Sequence, residues 1–484
     1  MIYTLKHMYL FNFFKNKKEI TLILLTLLFF HCKDIRNNIE ANGEEKQERP
    51  NIIFLLTDDQ RWDALSYVGN KSLQTPNIDA LATKGIYFNN AYVTTSICAV
   101  SRASILSGQY ARRHQIWGFS KNFTEEQLNN TYPLLLKKSG YTIGFIGKYG
   151  VGNQLPEDKF DYWKGFSGQG TFDQKDDQGN PIHLTEKIGG QALEFLNSQR
   201  EASKPFCLSI SFKAPHVEGD PGYFLPNKAY DSLYTDTKIK VPETSKPTFF
   251  DHFPERFTKN NVARNRWESR FATPEMQQAS IKKYYQLIFG VDKVVGEIVE
   301  NLKKTGQDKN TVILFTSDNG FYLGEYGFAG KWYGSDPSIR VPMIIYDPRK
   351  QSEGKRVDKK VLNIDIAPTI LSIANVKIPE TIQGKDLTKI MQNQEVQWRD
   401  SFFYEHLWKS SDRYYIPSTE GVVWKDKKYM KYFMNEDTDE VIFEELYDFS
   451  IDSKETKNLA SGKGQEDLKQ IMKQRYELAK KEAQ

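Results

Sequence analysis

Two short pairs, Asp58-Asp59 and Asp318-Asn319, present only hard oxygen donors, the chemistry that holds Ca²⁺ or Mg²⁺ rather than zinc. Alone, an Asp-Asp pair after a strand is more often a helix cap or a solvated loop than a metal site. Together they are two halves of one oxygen shell. Cys98 and Arg102 lie four residues apart in Cys98-Ala99-Val100-Ser101-Arg102-Ala103-Ser104-Ile105-Leu106-Ser107-Gly108, which runs into a small-residue helix. The amino end of such a helix carries partial positive charge suited to an anion. Lys148 follows Gly147, Lys331 follows Gly330, and His216 follows Ala214-Pro215. A lysine is ordinarily a surface residue and a lone histidine ordinarily a structural hydrogen-bonding group, so these residues gain chemical meaning only beside the carboxylates.

The strand pattern is what can bring them together. From Asn51 onward short apolar runs alternate with helical stretches, which predicts a mostly parallel sheet covered on both faces. Asn51 to Thr57 runs into Asp58-Asp59, Tyr141 to Gly147 into Lys148, Phe206 to Phe212 into Lys213-Ala214-Pro215-His216, and Thr311 to Ser317 into Asp318-Asn319-Gly320. In an open α/β sheet the carboxyl ends of the strands line the binding crevice, so residues distant in sequence converge there. The stretch from Pro156 to Thr273 is rich in Pro, Asp, aromatic and basic residues and reads as insertions shaping the mouth. Beyond Gly384, strand-like pieces at Phe402 to Glu405, Gly421 to Trp424, Lys428 to Phe433 and Val441 to Leu446 predict a smaller antiparallel sheet. A terminal helix follows from about Gly464, its charges forming a solvated face. The expected fold class is α/β, a large mixed, mostly parallel sheet sandwiched by helices, with a smaller C-terminal antiparallel sheet subdomain. Residues 50–384 form the expected catalytic domain and 385–484 the smaller subdomain.

In order along the chain, Asp58-Asp59-Gln60-Arg61, the Cys98 motif, Gly147-Lys148, Ala214-Pro215-His216, Ser317-Asp318-Asn319-Gly320, Gly330-Lys331 with Arg340-Val341-Pro342, and Asp365-Ile366-Ala367-Pro368-Thr369 resemble the blocks of type I, formylglycine-dependent sulfatases. The resemblance covers nearly all of residues 50 to 460 and extends to polysaccharide sulfatases of marine or gut Bacteroidetes. It implies the alkaline phosphatase superfamily fold and oxidation of Cys98 to Cα-formylglycine by a maturation enzyme. One hydroxyl of the hydrated aldehyde then attacks the sulfur of a sulfate ester, and the other lets the hemiacetal sulfate collapse to the aldehyde. By the same resemblance Asp58, Asp59, Asp318, Asn319 and the oxygen at position 98 hold Ca²⁺, and Arg102 stabilises the formylglycine. Lys148 and Lys331 contact sulfate oxygens, and His216 donates the proton to the leaving sugar. Two positions depart from the family pattern. Val100 stands in the middle of C-x-P/A-x-R, and Gly150 stands where G-K-W-H-x-G carries histidine. Metal activation, or an imidazole from elsewhere such as His183 or His252, would then serve in sulfate release. Asp336 replaces the usual Glu after the second lysine, and His114 reads as structural.

Candidate substrate contacts are His183, His252, Arg264, Arg266, Trp267, Arg270, Tyr404, Glu405 and His406, in the insert or at the start of the smaller sheet. Trp267 could stack on a sugar face and the arginines could pair with a uronate or a second sulfate, but a locally packed helix explains Arg266-Trp267 equally well. Composition bounds the partner class. The 66 Lys and Arg against 62 Asp and Glu give +4. Without Lys6, Lys15, Lys17, Lys18 and Glu19 the balance is 62 against 61, so no basic excess marks a nucleic-acid binder. Three cysteines, Cys32, Cys98 and Cys207, make no disulfide framework. Lysines through Lys18 precede the apolar run Ile20 to Phe30, too short to span a bilayer and closed by Cys32. Residues 1–32 therefore read as a signal segment of lipoprotein type with Cys32 lipidated to the outer membrane, or as an ordinary cleaved signal, and residues 33–49 as a solvated tether. The expected protein is an exported cell-surface or periplasmic lipoprotein that desulfates a sulfated polysaccharide or its oligosaccharides. A phosphonate or phosphodiester hydrolase, and a non-catalytic sulfated-glycan-binding lipoprotein with an unmodified Cys98, are the alternatives.

Overall fold

Alternation along β1 (Asn51–Thr57) organises the protein: Ile52, Phe54 and Leu56 enter one hydrophobic core, and Ile53 and Leu55 enter a second on the opposite face. A strand buried on both sides belongs inside a sheet. The computed structural model describes residues 49–350, 354–411, 414–435 and 440–484. Cys32, the signal segment 1–32 and the tether up to residue 48 lie outside the described residues. Among the described residues no helix is long and apolar enough to cross a membrane.

The main sheet continues with β2 (Ile86–Tyr92), β3 (Thr142–Lys148), β4 (Tyr162–Phe166), β5 (Phe206–Ser211), β6 (Thr311–Ser317), β7 (Met343–Tyr346) and β8 (Lys355–Leu362). Its lateral order is β8-β2-β7-β6-β1-β5-β3-β4. Strands β6, β1, β5, β3 and β4 are parallel, and β7 runs antiparallel to both neighbours. Five helices matter for the site and the cores: α1 (Cys98–Ser107), α2 (Leu184–Ser198), α3 (Val262–Arg270), α4 (Pro274–Thr305) and α5 (Ile366–Ile373). Val100 and Ala103 of α1 and Ile370 of α5 enter the first core, whereas Ile188 and Phe195 of α2 and Val291 and Val294 of α4 enter the second. Helix α4 begins at Pro274 under a Thr273 cap and stops at Gly306, whose φ of 74° is the left-handed conformation that glycine adopts without strain.

The smaller sheet is an antiparallel meander of β9 (Ser401–His406), β10 (Ser418–Trp424), β11 (Lys427–Phe433) and β12 (Val441–Asp448). One face receives Met472, Tyr476 and Ala479 of α6 (Glu466–Glu482) against Phe403, Val422 and Tyr429. The terminal helix is therefore amphipathic, solvated on one side and buried on the other. The other face of the sheet joins the first core through Phe402, Tyr404, Val423 and Met430, and residues 50–484 form one compact unit.

Candidate active site

Strands β6, β1, β5 and β3 are neighbours, so the segments leaving their carboxyl ends share one crevice. Asp58 and Asp59 follow β1, Asp318 and Asn319 follow β6, the His216 loop follows β5, and Lys148 closes β3. Cys98 is the first residue of α1 and is fully buried. Its thiol donates to Asp58 Oδ1 at 3.3 Å and accepts from Lys331 Nζ at 3.0 Å. Lys331 also donates to Asp59 Oδ1. Lys148 Nζ donates to Asp58 Oδ2 at 2.5 Å and to Gln169 Oε1 at 2.6 Å. Arg102 Nε donates to Asp318 Oδ2 at 2.9 Å, its Nη1 to Lys148 O at 2.7 Å and to Ser211 Oγ, and its Nη2 to Asp58 Oδ2 at 3.3 Å. Asp59 holds φ at 69°, a conformation Asp tolerates better than most residues, and its carbonyl oxygen accepts from Tyr284 OH at 2.8 Å. His216 places Nδ1 2.6 Å from Val217 O and Nε2 3.7 Å from Asp59 Oδ2.

The charges in this cluster are interdependent. Burial pushes the Asp58 carboxyl up, but Lys148, His216, Arg102 and Lys331 outweigh it and hold the group well below the usual range. Burial and the Asp58 charge raise Asp318 against the pull of Arg102 and Lys331. Burial also drives the Cys98 thiol up to about 12, Asp58 adding to the effect while Lys148 and Lys331 oppose it. The cysteine as synthesised is therefore a protonated thiol at neutral pH, a poor nucleophile.

One donor atom each of Asp58, Asp59, Cys98 and Asp318 lie within 4.8 Å of one another. Asn319 donates through Nδ2 to Asp59 Oδ1 at 2.6 Å, yet its Oδ1 is buried without a hydrogen-bond partner. An orphaned carbonyl oxygen beside three carboxylates is what a hard cation would satisfy, so Asp58, Asp59, Asp318 and Asn319 fit a metal. With the oxygen-rich cluster, the buried cysteine and the paired cations in place, the sulfatase family matches residues 50–376. The chain belongs to the sulfatase family.

A second family, described as N-sulphoglucosamine sulphohydrolase, C-terminal, matches residues 324–482. The protein is 29% identical to an N-acetylglucosamine-6-O-sulfatase of Bacteroides thetaiotaomicron, the match covering 89% of this chain and 87% of that one. An arylsulfatase of Clostridium perfringens is 28% identical over 85% of this chain and 90% of its own. A solved structure of a protein in complex with its substrate D-glucosamine-2-N,6-O-disulfate is similar at a TM-score of 0.76 and 25% identity, over 90% of this chain and 98% of that one. The phosphonate monoester hydrolase of Agrobacterium radiobacter shares the fold, with a TM-score of 0.73 at 20% identity over 90% and 96% of the two chains. The protein is a sulfuric ester hydrolase.

Gly150, the position where the resemblance leads one to expect histidine, is closely approached by Arg102. A Cβ there would lie 2.6 Å from Arg102 Cδ, and the residue has φ of 73°. The Arg102 side chain fills the space a larger residue would need. Neither histidine considered as a replacement reaches the cluster. His183 caps α2, accepting from Thr185 N at 3.3 Å, and stacks on Phe172 with Nε2 3.0 Å from Leu225 O. His252 has Nε2 2.9 Å from Glu445 Oε1 and 2.6 Å from Tyr447 OH, in a separate buried network. His114 lies 3.0 Å from Ser104 Oγ and accepts from Ile116 N, a structural role.

Among the other expected substrate contacts, Arg264 donates to Tyr326 O at 3.0 Å and packs over the Phe250 and Phe328 rings, and Trp267 meets the Phe250 edge at 4.8 Å. Both are local packing residues. Tyr404 donates to Trp332 O at 2.5 Å, and Glu405 pairs with Arg112 at 2.9 Å. His406 is buried with neither ring nitrogen partnered, stacks on Trp408 and is lowered to about 3 by burial, with Lys331 adding to the effect. On α3, Arg266 lies 5.2 Å from the centre of the Trp332 ring, and Arg270 donates to Gly222 O at 2.6 Å. Sequence reasoning missed Gln169 and Ser211, which orient Lys148 and Arg102. The Gly168-Gln169-Gly170 triplet was the visible signal for the first; the second is simply the last residue of β5.

Proposed function

We propose that this sulfatase removes sulfate from a sulfated saccharide after Cys98 is converted to formylglycine, with Ca²⁺ held by Asp58, Asp59, Asp318 and Asn319. The observation that carries the reading is the place of Cys98, at the first residue of α1, where its thiol donates to Asp58 and accepts from Lys331 beside the carboxylate cluster. Maturation oxidises Cβ by two electrons, sulfur leaving as sulfide and an external oxidant such as O₂ taking the electrons. One hydroxyl of the hydrated aldehyde attacks sulfur and the bond from sulfur to the sugar oxygen breaks. The second hydroxyl then loses its proton and expels sulfate as the aldehyde re-forms.

Bound Ca²⁺ supplies Lewis acidity, which polarises the sulfate and acidifies the attacking hydroxyl. The chain's own groups do the rest. Lys148 and Lys331 offer ammonium hydrogens to sulfate oxygens, and Arg102 ties the position-98 site to Asp58 and Asp318. His216 protonates the departing sugar oxygen. Burial lowers that imidazole to about 4, with Asp58 and Asp59 acting the other way. A bound sulfate ester adds negative charge beside the ring and favours the imidazolium that the donor role needs.

The relatives support the substrate class, since one acts on an N-acetylglucosamine sulfate and another, from Formosa agariphila, is described as ulvan-active. Export and lipidation at Cys32 complete the reading, supported by the apolar run before that cysteine. The test is co-expression with a maturation enzyme, mass measurement of the Cys98 peptide and sulfate release from defined sulfated oligosaccharides. A loss of about 18 Da together with turnover is expected from the thiol-to-aldehyde chemistry. An active protein with an intact thiol, or turnover of phosphonate esters in preference to sulfate esters, would overturn it.

A further inference from the structure

Several buried or nearly buried cations among the described residues have carboxylate partners. Arg61 pairs with Asp63 and Glu325, Arg102 with Asp58 and Asp318, and Arg399 with Asp365. Helix α3 is different. Arg266 and Arg270 are four residues apart, so both guanidinium groups extend from one face of the helix. Neither makes an ion pair with a carboxylate among the described residues. Arg270 is 2% exposed; its Nε donates to Gly222 O at 2.6 Å and its Nη2 to Pro221 O, while its Nη1 is buried without a partner. Arg266 makes no hydrogen bond among the described residues, and its guanidinium lies 5.2 Å from the centre of the Trp332 ring. Two like charges one turn apart repel, and a buried guanidinium with an unsatisfied nitrogen costs free energy that the isolated fold does not recover.

The location gives these charges a purpose. Trp332 follows Lys331, which donates to Cys98 Sγ, and Gly222 and Pro221 belong to the loop that leaves His216. The pair thus spans the wall between the nucleophile side and the proton-donor side of the crevice. Asp59 lies within electrostatic reach of both arginines and Cys98 of Arg266, at separations beyond ion-pair contact. Asp220, the other carboxylate acting on both, is also beyond ion-pair distance of them. Arg264, on the same helix, also leaves its Nε buried without a partner, but its Nη2 donates to Tyr326 O and its guanidinium packs over the Phe250, Trp267 and Phe328 rings, an aromatic setting distinct from that of Arg266 and Arg270.

We propose that Arg266 and Arg270 form a second anion subsite, so that the preferred substrate carries a further sulfate or carboxylate beside the sulfate ester being cleaved. The subsite rests on the saccharide sulfatase reading above and deepens it. A guanidinium pair with free nitrogens fits the oxygens of a sulfate or carboxylate through charge-assisted hydrogen bonds, which a neutral sugar hydroxyl exploits far less.

The test compares three probes on matured, Ca²⁺-loaded enzyme: D-glucosamine 6-sulfate, D-glucosamine-2-N,6-O-disulfate, and a 6-sulfated glucosamine linked to a uronic acid. The two doubly anionic probes separate a sulfate-reading from a carboxylate-reading subsite. For Arg266→Gln, kcat/KM for the favoured doubly anionic probe relative to the monosulfate should fall at least tenfold, chiefly through KM, and Arg266→Lys should recover part of the ratio. Arg270→Lys, which keeps the charge, gives the second reading should larger changes at Arg270 unfold the loop. Equal losses on all probes, or an unchanged ratio, would overturn the subsite while leaving the sulfatase reading intact. Absence of turnover by wild-type enzyme on every sulfate ester, with Cys98 unmodified, would instead count against the proposed function.

Discussion

Two buried polar clusters in this protein each set carboxylate beside imidazole and behave differently. The first gathers Asp58, Asp59, Asp318 and Asn319 with Arg102, Lys148, Lys331 and His216 around Cys98. The second gathers His252, Glu445, Tyr447 and Tyr432 behind the smaller sheet. In the second, both oxygens of Glu445 accept hydrogen bonds from the tyrosine hydroxyls, His252 lies beside them, and its ring stacks on Tyr326 at 4.5 Å. In the first, Asn319 Oδ1 has no partner and three carboxylates crowd one small volume. Burial punishes an unsatisfied polar atom, so a closed network contributes rigidity and an open one signals a missing ligand. The clusters share a buried carboxylate beside an imidazole and differ in whether their polar atoms are satisfied.

The strongest way to break this comparison is at Cys98. Cys98→Ala should leave the protein folded and abolish sulfate ester turnover, a loss of about 10⁴-fold or more, because the covalent route disappears. Turnover of 4-methylumbelliferyl sulfate, with circular dichroism as the control, reads both halves of the expectation. Next comes the cation. Chelation should remove activity and lower the melting temperature, added Ca²⁺ should restore both, and stoichiometric zinc in active enzyme would contradict the oxygen-donor argument. The third test addresses the proton donor. His216→Ala should slow a sugar sulfate by roughly 10² to 10⁴-fold and an aryl sulfate much less, since a phenolate departs with little protonation.

Smaller effects sharpen the contrast. Gly150→His restores the residue type of the family pattern but meets Arg102 and a positive φ, so it should destabilise the protein by about 1–3 kcal/mol and reduce turnover rather than raise it. A gain in activity would show that the Arg102 side chain can move aside. Glu445→Gln, in the closed cluster, should cost about 1–3 kcal/mol of stability in denaturant titration. It should leave kcat/KM within about twofold, because among the described residues that network makes no hydrogen bond to the Cys98 cluster. A change in Ca²⁺ dependence would erase the distinction between the clusters.

Much of this arrangement was legible in the chain. Apolar runs ended by polar residues marked β1 and β6 to the residue and β3 and β5 within one, because a strand buried on both faces must be continuously apolar and must stop where charge begins. The rule that parallel strands share a carboxyl edge then brought Asp58, Lys148, His216 and Asp318 together. The same reasoning gave the antiparallel pattern of the smaller sheet. It gave no means of sorting histidines and arginines of the insert, whose helices and loops have no periodicity tied to the crevice. His183, His252, Arg264, Arg266 and Arg270 look alike as letters. Tertiary structure turned His183 into a helix cap, sealed His252 against Glu445, packed Arg264 among aromatic rings, and left Arg266 and Arg270 without a carboxylate ion pair among the described residues. Periodicity and strand chemistry are local and can be read from neighbours in sequence; whether a buried polar atom finds a partner depends on contacts between residues hundreds of positions apart, and only the folded chain decides them.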